Sequence, residues 1–199
     1  RRAVAFMEEV GAEPRFEVCP FADASMMELI GASGFRPVDA DMVFFRELTG
    51  RVTAEGADAG IRVAVIDPAD DALLEAQVRT VIRGFMKPGD AFPEAMVPVA
   101  KRWGKHPRTV TVGAWLNGEL VGGGSMDVCG EVAALFGASV VEHARRKGVQ
   151  QSMLAARISL GYEQGARIAS IGSRPGGGTE RNVRRMGFQV AYTKLSFIR

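Results

Sequence analysis

Metal-ligating and redox side chains are scarce in this chain of 199 residues, which holds two cysteines and two histidines. Cys19 and Cys129 lie far apart and form no CxxC pair or Cys/His cluster. That spacing argues against a zinc site or a disulfide framework and for reduced thiols in a cytoplasmic setting. His106 and His143 each sit beside a turn signal, without a second histidine or an acidic cluster, so metal catalysis is not expected. Excess charge is also lacking: 25 basic against 23 acidic residues leave a net +2. So small a surplus argues against nucleic acid or an acidic membrane as the main partner. No apolar run approaches the roughly 20 residues of a membrane-spanning helix. The first residues, Arg1-Arg2-Ala3-Val4, lack the apolar core of a signal peptide, and without an initiator Met further sequence is expected upstream.

What remains is the balance of an ordinary globular protein, 47% hydrophobic and 24% charged. The length allows one sizeable core, or one domain and part of a second. Thr49 to Gly60, with Gly50, Gly56 and Gly60 among small and acidic residues, is the best linker candidate. It divides the chain into an N-terminal piece, 1–50, a linker, 51–60, and a larger domain, 61–199. In the first piece Phe16 to Cys19 suggests a strand, Ser25 to Ala32 a helix capped by Gly34, and Met42 to Phe45 another strand. That order returns at the end of the chain. Gly11 to Leu48 can be laid against Gly165 to Arg199, each with a helix-closing Gly, a strand, a Pro, a short helix, a Gly-Phe pair and an apolar strand. Such a match suggests an internal duplication whose first copy is partial, although strand-helix-strand units also resemble one another by chance.

From Ile61 to Ile66 a strand is expected, then a helix capped by Asp70 or Asp71 that carries Leu74, Val78, Val81 and Ile82 on one face. A second helix is expected from about Pro93 to Trp103. Val110 to Leu116 and Leu120 to Ser125 flank Asn117-Gly118, a two-residue hairpin signal. Val132 to Val141 is a mostly apolar central strand, entered by a turn at Cys129-Gly130-Glu131. The next helix places Val149, Met153, Ala156 and Leu160 on one face and leaves Gln151, Arg157 and Glu163 for water or a neighbour.

Between that strand and that helix runs Glu142-His143-Ala144-Arg145-Arg146-Lys147-Gly148-Val149-Gln150-Gln151. Cations at a helix N-terminus oppose its partial positive charge, at a cost of about 0.3–1 kcal/mol each. Either the three form a solvated turn, or an anion such as a pyrophosphate sits there and removes the conflict. The loop resembles the signature of the GNAT superfamily of acyl-CoA-dependent N-acyltransferases: Arg or Gln, two residues, Gly, one residue, then Gly or Ala. Here it stands as Arg145-Arg146-Lys147-Gly148-Val149-Gln150, with Gln150 departing from the small residue. The resemblance extends over Ile61 to Arg199 in the order of elements, including a strand at Ile168 to Ile171 and closing strands with Gly187-Phe188 and Tyr192. It is similar to a bacterial subgroup of two GNAT repeats with a degenerate first one.

The resemblance implies an α/β (α+β) fold: a mixed, mostly antiparallel twisted sheet with flanking helices, preceded by a partial repeat, with the fourth and fifth strands of the larger domain splayed apart. It implies an N-acetyltransferase whose co-substrate is acetyl-CoA and whose acceptor is an amine of a small molecule or protein. Pantetheine would pair near Val140 and Val141, Arg145, Arg146, Lys147, Gly148, Val149, Gln150 and Gln151 would hold the pyrophosphate, and Asn182 would be a further contact. A homodimer is compatible with it; membrane and nucleic acid are not expected partners.

Transfer by direct amine attack needs a base, oxyanion donors and, in this family, often a Tyr on the last helix as acid. Aligned on Gly187-Phe188, that position is Val183. Tyr192, Glu131 and Glu142 are nearby alternatives that read equally as packed or solvated strand residues, so no catalytic residue is assigned. Gly122-Gly123-Gly124 falls within a strand and Gly176-Gly177-Gly178 before a short helix, neither in a dinucleotide-fold context. Two alternatives remain: a CoA-binding or interaction module without catalysis, suggested by Val183, and a nucleic-acid module drawing on Arg145 to Lys147, Arg181, Arg184 and Arg185.

Overall fold

Asn117 and Gly118 both adopt positive φ, 51° and 88°, the geometry that lets a two-residue turn follow the twist of its strands. In the computed structural model, which describes residues 2–55 and 59–199, that turn joins β4 (Thr109–Leu116) to β5 (Glu119–Cys129). A second hairpin, with Gly130 at φ 57°, joins β5 to β6 (Val132–Val140). At its C-terminal end β5 outruns the sequence expectation by four residues, because Met126 and Val128 continue the apolar alternation after the glycines.

The chain opens with α1 (Arg2–Glu9), β1 (Arg15–Val18), α2 (Ala24–Ala32) and β2 (Arg36–Glu47), followed by β3 (Ile61–Val65), α3 (Asp71–Phe85) and α4 (Met96–Gly104). After β6 come α5 (Val149–Glu163), β7 (Ile168–Ser173), α6 (Gly178–Arg185) and β8 (Gln189–Ile198). Asp70 is the cap of α3, its carboxylate accepting from the Leu73 N–H at 3.0 Å. The linker candidate is tied down where it is described: Val52 exchanges hydrogen bonds with Ser159 Oγ on α5 at 3.0 and 3.1 Å. Its residues 56–58, with Gly56, lie outside the described residues.

All eight strands form one sheet in the order β1-β8-β2-β7-β6-β5-β4-β3, a mixed and mostly antiparallel arrangement as the α/β expectation required. Among the described residues only β6 and β7 run parallel. The two strand-helix-strand units are interleaved. β1 pairs with β8, not with β2, and β7 pairs with β2, not with β8, so each unit's opening strand lies beside the closing strand of the other. β2 and β8 meet between them along Arg36 to Phe45 and Gln189 to Ile198. Phe44 of β2 is wholly buried in the main core with Leu154, Ile158 and Phe188. β1 and β2 of the N-terminal piece are thus strands of the same sheet as the rest.

α3 packs on one face of β5 and β6, and α5 on the other. β5 accepts both helices closely because it carries Gly122-Gly123-Gly124: a Cβ at Gly123 would fall 2.3 Å from Gln77 Nε2 on α3, and one at Gly124 would fall 3.1 Å from Arg157 Cζ on α5. The burial of α5 is broader than a single stripe, with Leu154, Ala155 and Ile158 buried as well as Val149 and Met153. Ala156 and Leu160, expected on the buried face, are only half-buried.

Candidate functional site

The parallel pairing of β6 with β7 covers only Val132 to Leu135 against Ile168 to Ile171. Beyond Leu135 the two strands separate, as expected for the fourth and fifth strands of the larger domain. β6 there carries a bulge, with Gly137 at φ 58° and a register shift against β5 between Gly123 and Ser125. A bulge bends its strand and breaks its ladder. Here it leaves the far half of β6 without a β7 partner. Since successive backbone groups alternate sides, and the Val141 N–H donates to the Val121 carbonyl of β5 at 2.9 Å, the N–H of Val140 faces the opening. Val140 stands where a bound strand would pair; the amide of Val141, expected to do the same, belongs to the sheet.

At the end of β6 a single 3₁₀ turn, Glu142–Ala144, leads into the basic loop. Arg146 has φ 63° and Gly148 φ 87°. Two left-handed residues one position apart turn the backbone sharply, and such turns favour an anion nest, in which successive N–H groups face one charge. Gly148 also begins α5 without any side-chain cap, so the first N–H groups of a 15-residue helix stay unclaimed by side chains. Gln150, the departure from the small-residue pattern, points away from the nest: its Oε1 accepts from Asn182 Nδ2 at 2.9 Å and its Nε2 approaches Thr179 Oγ1 at 3.5 Å. That pair ties α5 to α6.

A cavity of about 460 Å³ lies here. Of the ten expected binding residues it collects Val140, Arg145, Arg146, Gly148, Val149, Gln150, Gln151 and Asn182; Val141 and Lys147 do not line it. Arg181 and Arg185 of α6 do, making four arginines and no carboxylate in the lining. Arg145 is partly committed, its Nε to the Val140 carbonyl at 3.1 Å and its Nη2 to the Gly84 carbonyl of α3 at 2.9 Å. Glu180 is turned away to the Gly176 N–H at 2.6 Å and to Arg184, contacts that hold its carboxyl below the usual range, the first more than the second. The field inside the cavity is therefore positive.

Two further cavities lie in a row with it. The first, about 130 Å³, lies in the opening between β6 and β7 and shares Gln150 and Asn182 with the arginine cavity; Val183 and Arg157 also line it. The second, about 470 Å³, lies under α3 and α4 and meets the first at Phe136 and Gly137. Its walls are Leu74, Val78, Val81, Ile82 and Trp103, and Asp127 of β5 supplies its one carboxylate. Asp127 Oδ1 accepts from Thr109 Oγ1 at 2.6 Å. The last two cavities thus lie against one another at the bulge, with Phe136 and Gly137 in the lining of both.

Val183 is buried, with no hydroxyl to offer. Tyr192 packs edge-on against Phe21 at 5.6 Å, on the β1-β8 side of the sheet and away from the opening. Glu131 pairs with Arg167 at the opposite end of β6, and Glu142 is exposed. Asp127 escaped the sequence reading because the strand was ended at Ser125; the signal was a polar alternation, Ser125 and Asp127 opposite Thr111 and Thr109.

No family model matches the chain, and no curated protein matches it either. Solved structures do. A GCN5-related N-acetyltransferase from Sphaerobacter thermophilus aligns with 94% of this chain over 59% of its own, at TM-score 0.71 and 19% identity. One from Kribbella flavida aligns with 98% over 71% of its own, at TM-score 0.72 and 18% identity. A tandem GNAT protein from the clavulanic acid biosynthesis pathway aligns with 98% over 66% of its own, at TM-score 0.68 and 16% identity. The chain has the fold of these acetyltransferases and spans about three fifths of the first one's length. No helix among the described residues is long and apolar enough to cross a membrane.

Proposed function

We propose that this chain binds acetyl-CoA and transfers its acetyl group to an amine. The observation that carries the proposal is the row of adjoining cavities: an arginine-lined one at an uncapped helix start, a small one at an unpaired strand edge, and an apolar one holding one carboxylate. These features fit a CoA ester part by part. The nest at Arg146 to Gly148, the start of α5 and Arg181 and Arg185 suit a pyrophosphate, whose charge would remove the conflict of cations at a helix N-terminus. The unpaired edge at Val140 suits the amides of pantetheine. A trough of about 940 Å³ that adjoins the arginine cavity at Gln151 and Arg185 suits the adenosine end.

When bound, the thioester supplies an activated acetyl group. The residues of this chain then have three tasks. The bulged segment of β6 offers N–H groups to the carbonyl oxygen. The apolar walls below α3 and α4 exclude water and hold the acceptor. Asp127, the carboxylate there, faces the ammonium form of the acceptor and accepts its proton directly or through water. No group replaces the missing tyrosine as an acid at Val183.

The buried Val183 also favours a second alternative, a CoA-binding module without catalysis. Calorimetric titration with acetyl-CoA, CoA and, as a control, NAD tests the first claim. Micromolar binding of both CoA forms without an NAD response is expected, and absence of binding at millimolar concentration would overturn it. An amine screen that follows free thiol release then separates enzyme from module.

The units 15–47 and 168–198 we further propose to be two copies of one strand-helix-strand element, the first the remnant of a repeat preceding a domain at 61–199. Their equal order and the mutual placement of their strands support this.

A further inference from the structure

Arg157 was expected at the surface of α5 or against a neighbour; it is 1% exposed and lies behind the bulge of β6. Its Nε donates to the Met153 carbonyl at 3.2 Å, and its Nη1 to the carbonyls of Ser125 and Phe136 at 3.1 and 3.4 Å. Those last two residues face each other across β5 and β6 just before the register shift. The guanidinium therefore occupies the gap that the bulge opens in the ladder. Carbonyl oxygens accept from its Nε and Nη1 but carry no charge to balance it, and among the described residues no carboxylate pairs with it. Burial alone lowers its pKa to about 10, which still leaves it charged at neutral pH.

A buried cation without a counter-charge is costly, and such groups cluster at functional sites. Arg157 lines the same small cavity as Val183, the position where an acid was expected, and is the only ionisable residue in that lining. The arginines Arg145, Arg146, Arg181 and Arg185 line the adjoining cavity, where the pyrophosphate would meet them.

We propose that Arg157 stabilises the departing CoA thiolate by charge, in place of protonation by a tyrosine. This rests on the CoA-binding reading above. In the transfer the amine nitrogen forms a bond to the acetyl carbon, the carbon–sulfur bond breaks, and its electron pair remains on sulfur. The ammonium proton passes to Asp127 or water. A guanidinium across the bulge favours the anion on sulfur without giving up a proton.

The same field must act on the thiol of bound CoA in the absence of any acceptor. The test is an ultraviolet titration of the CoA thiolate in complex with the whole chain, with CoA affinity measured alongside. The bound thiol is expected to titrate at least one pH unit below free CoA, since an opposite charge within ~4–6 Å moves a pKa by about 1–3. Arg157→Gln, which keeps donors for the carbonyls and removes the charge, is expected to bind CoA and lose most of that difference. Arg157→Lys, with charge but fewer donors, is expected to keep it. A wild-type thiol titrating at or above the free value while CoA is bound would overturn the proposal, as would an undiminished difference in folded Arg157→Gln. Failure of CoA to bind the wild type at all would overturn the CoA-binding reading itself.

Discussion

Gly148→Asp puts the heaviest demand on the anion site. Gly148 has φ 87°, so a side chain there brings strain of about 1–2 kcal/mol, of which Asp, tolerant of left-handed backbone, takes the lower part. Charge matters more. A carboxylate about 5 Å from a pyrophosphate, at an effective dielectric of about 20, costs about 3 kcal/mol for each pair of unit charges. That corresponds to roughly a hundredfold loss of affinity per pair. The same carboxylate at the start of α5 would favour the helix, so the fold should survive while CoA binding fails. Gly148→Ala separates the two effects, bringing strain without charge. Calorimetry at fixed salt is expected to show at least a hundredfold loss for Gly148→Asp and less than tenfold for Gly148→Ala, with circular dichroism unchanged. A folded Gly148→Asp protein that binds CoA within threefold of wild type would refute the assignment of the nest.

Asp127→Asn is expected to leave CoA affinity unchanged and to lower acetyl transfer at least tenfold, with the loss smallest at high pH where the acceptor is already neutral; equal rates at neutral pH would remove Asp127 from the site. Phe44→Ala empties a wholly buried position in the core shared by β2, α5 and α6 and is expected to cost about 3–5 kcal/mol in urea unfolding; a change below about 1 kcal/mol would show that β2 is not integral to the sheet. Asp71 clasps Lys101 and Lys105 at 2.7 Å each, and these partners lower its pKa to about 2. Because the folded value lies below the unfolded one, its contribution is full above about pH 4. It is lost as pH falls through about 2. Melting temperatures of wild type and Asp71→Asn should therefore differ above pH 5 and converge near pH 2.

Local rules written in one stretch of sequence were readable in advance. Asn117-Gly118 specified its hairpin because positive φ at two adjacent positions is available to few residue pairs. Asp70 specified the start of α3, and the cations before Gly148 announced a helix N-terminus in electrostatic conflict. The order of elements and the loop signature suggested the mixed, mostly antiparallel sheet that the structure has. Eight of the ten proposed binding residues were gathered by one cavity because seven of those eight come from one β-to-α crossing, whose course is local.

What depends on partners distant in sequence was decided only by the tertiary structure. Strand patterning says that β2 and β8 are strands but not that each lies beside the other unit's opening strand, since the alternation of side chains carries no neighbour's name. Gln150 read as a departure from the small residue of the loop signature, and became a tie to Asn182 once α6 was in place. Arg157 was left for water or a neighbour because helical periodicity cannot foresee two carbonyls, those of Ser125 and Phe136, beside a bulge in other strands. The sequence by itself determined the turns, the caps and the basic loop, whose energetics close within a few residues; the pairing of the strands, the opening at the bulge and the burial of a lone cation behind it required the whole sheet, because only there do the groups that satisfy them meet.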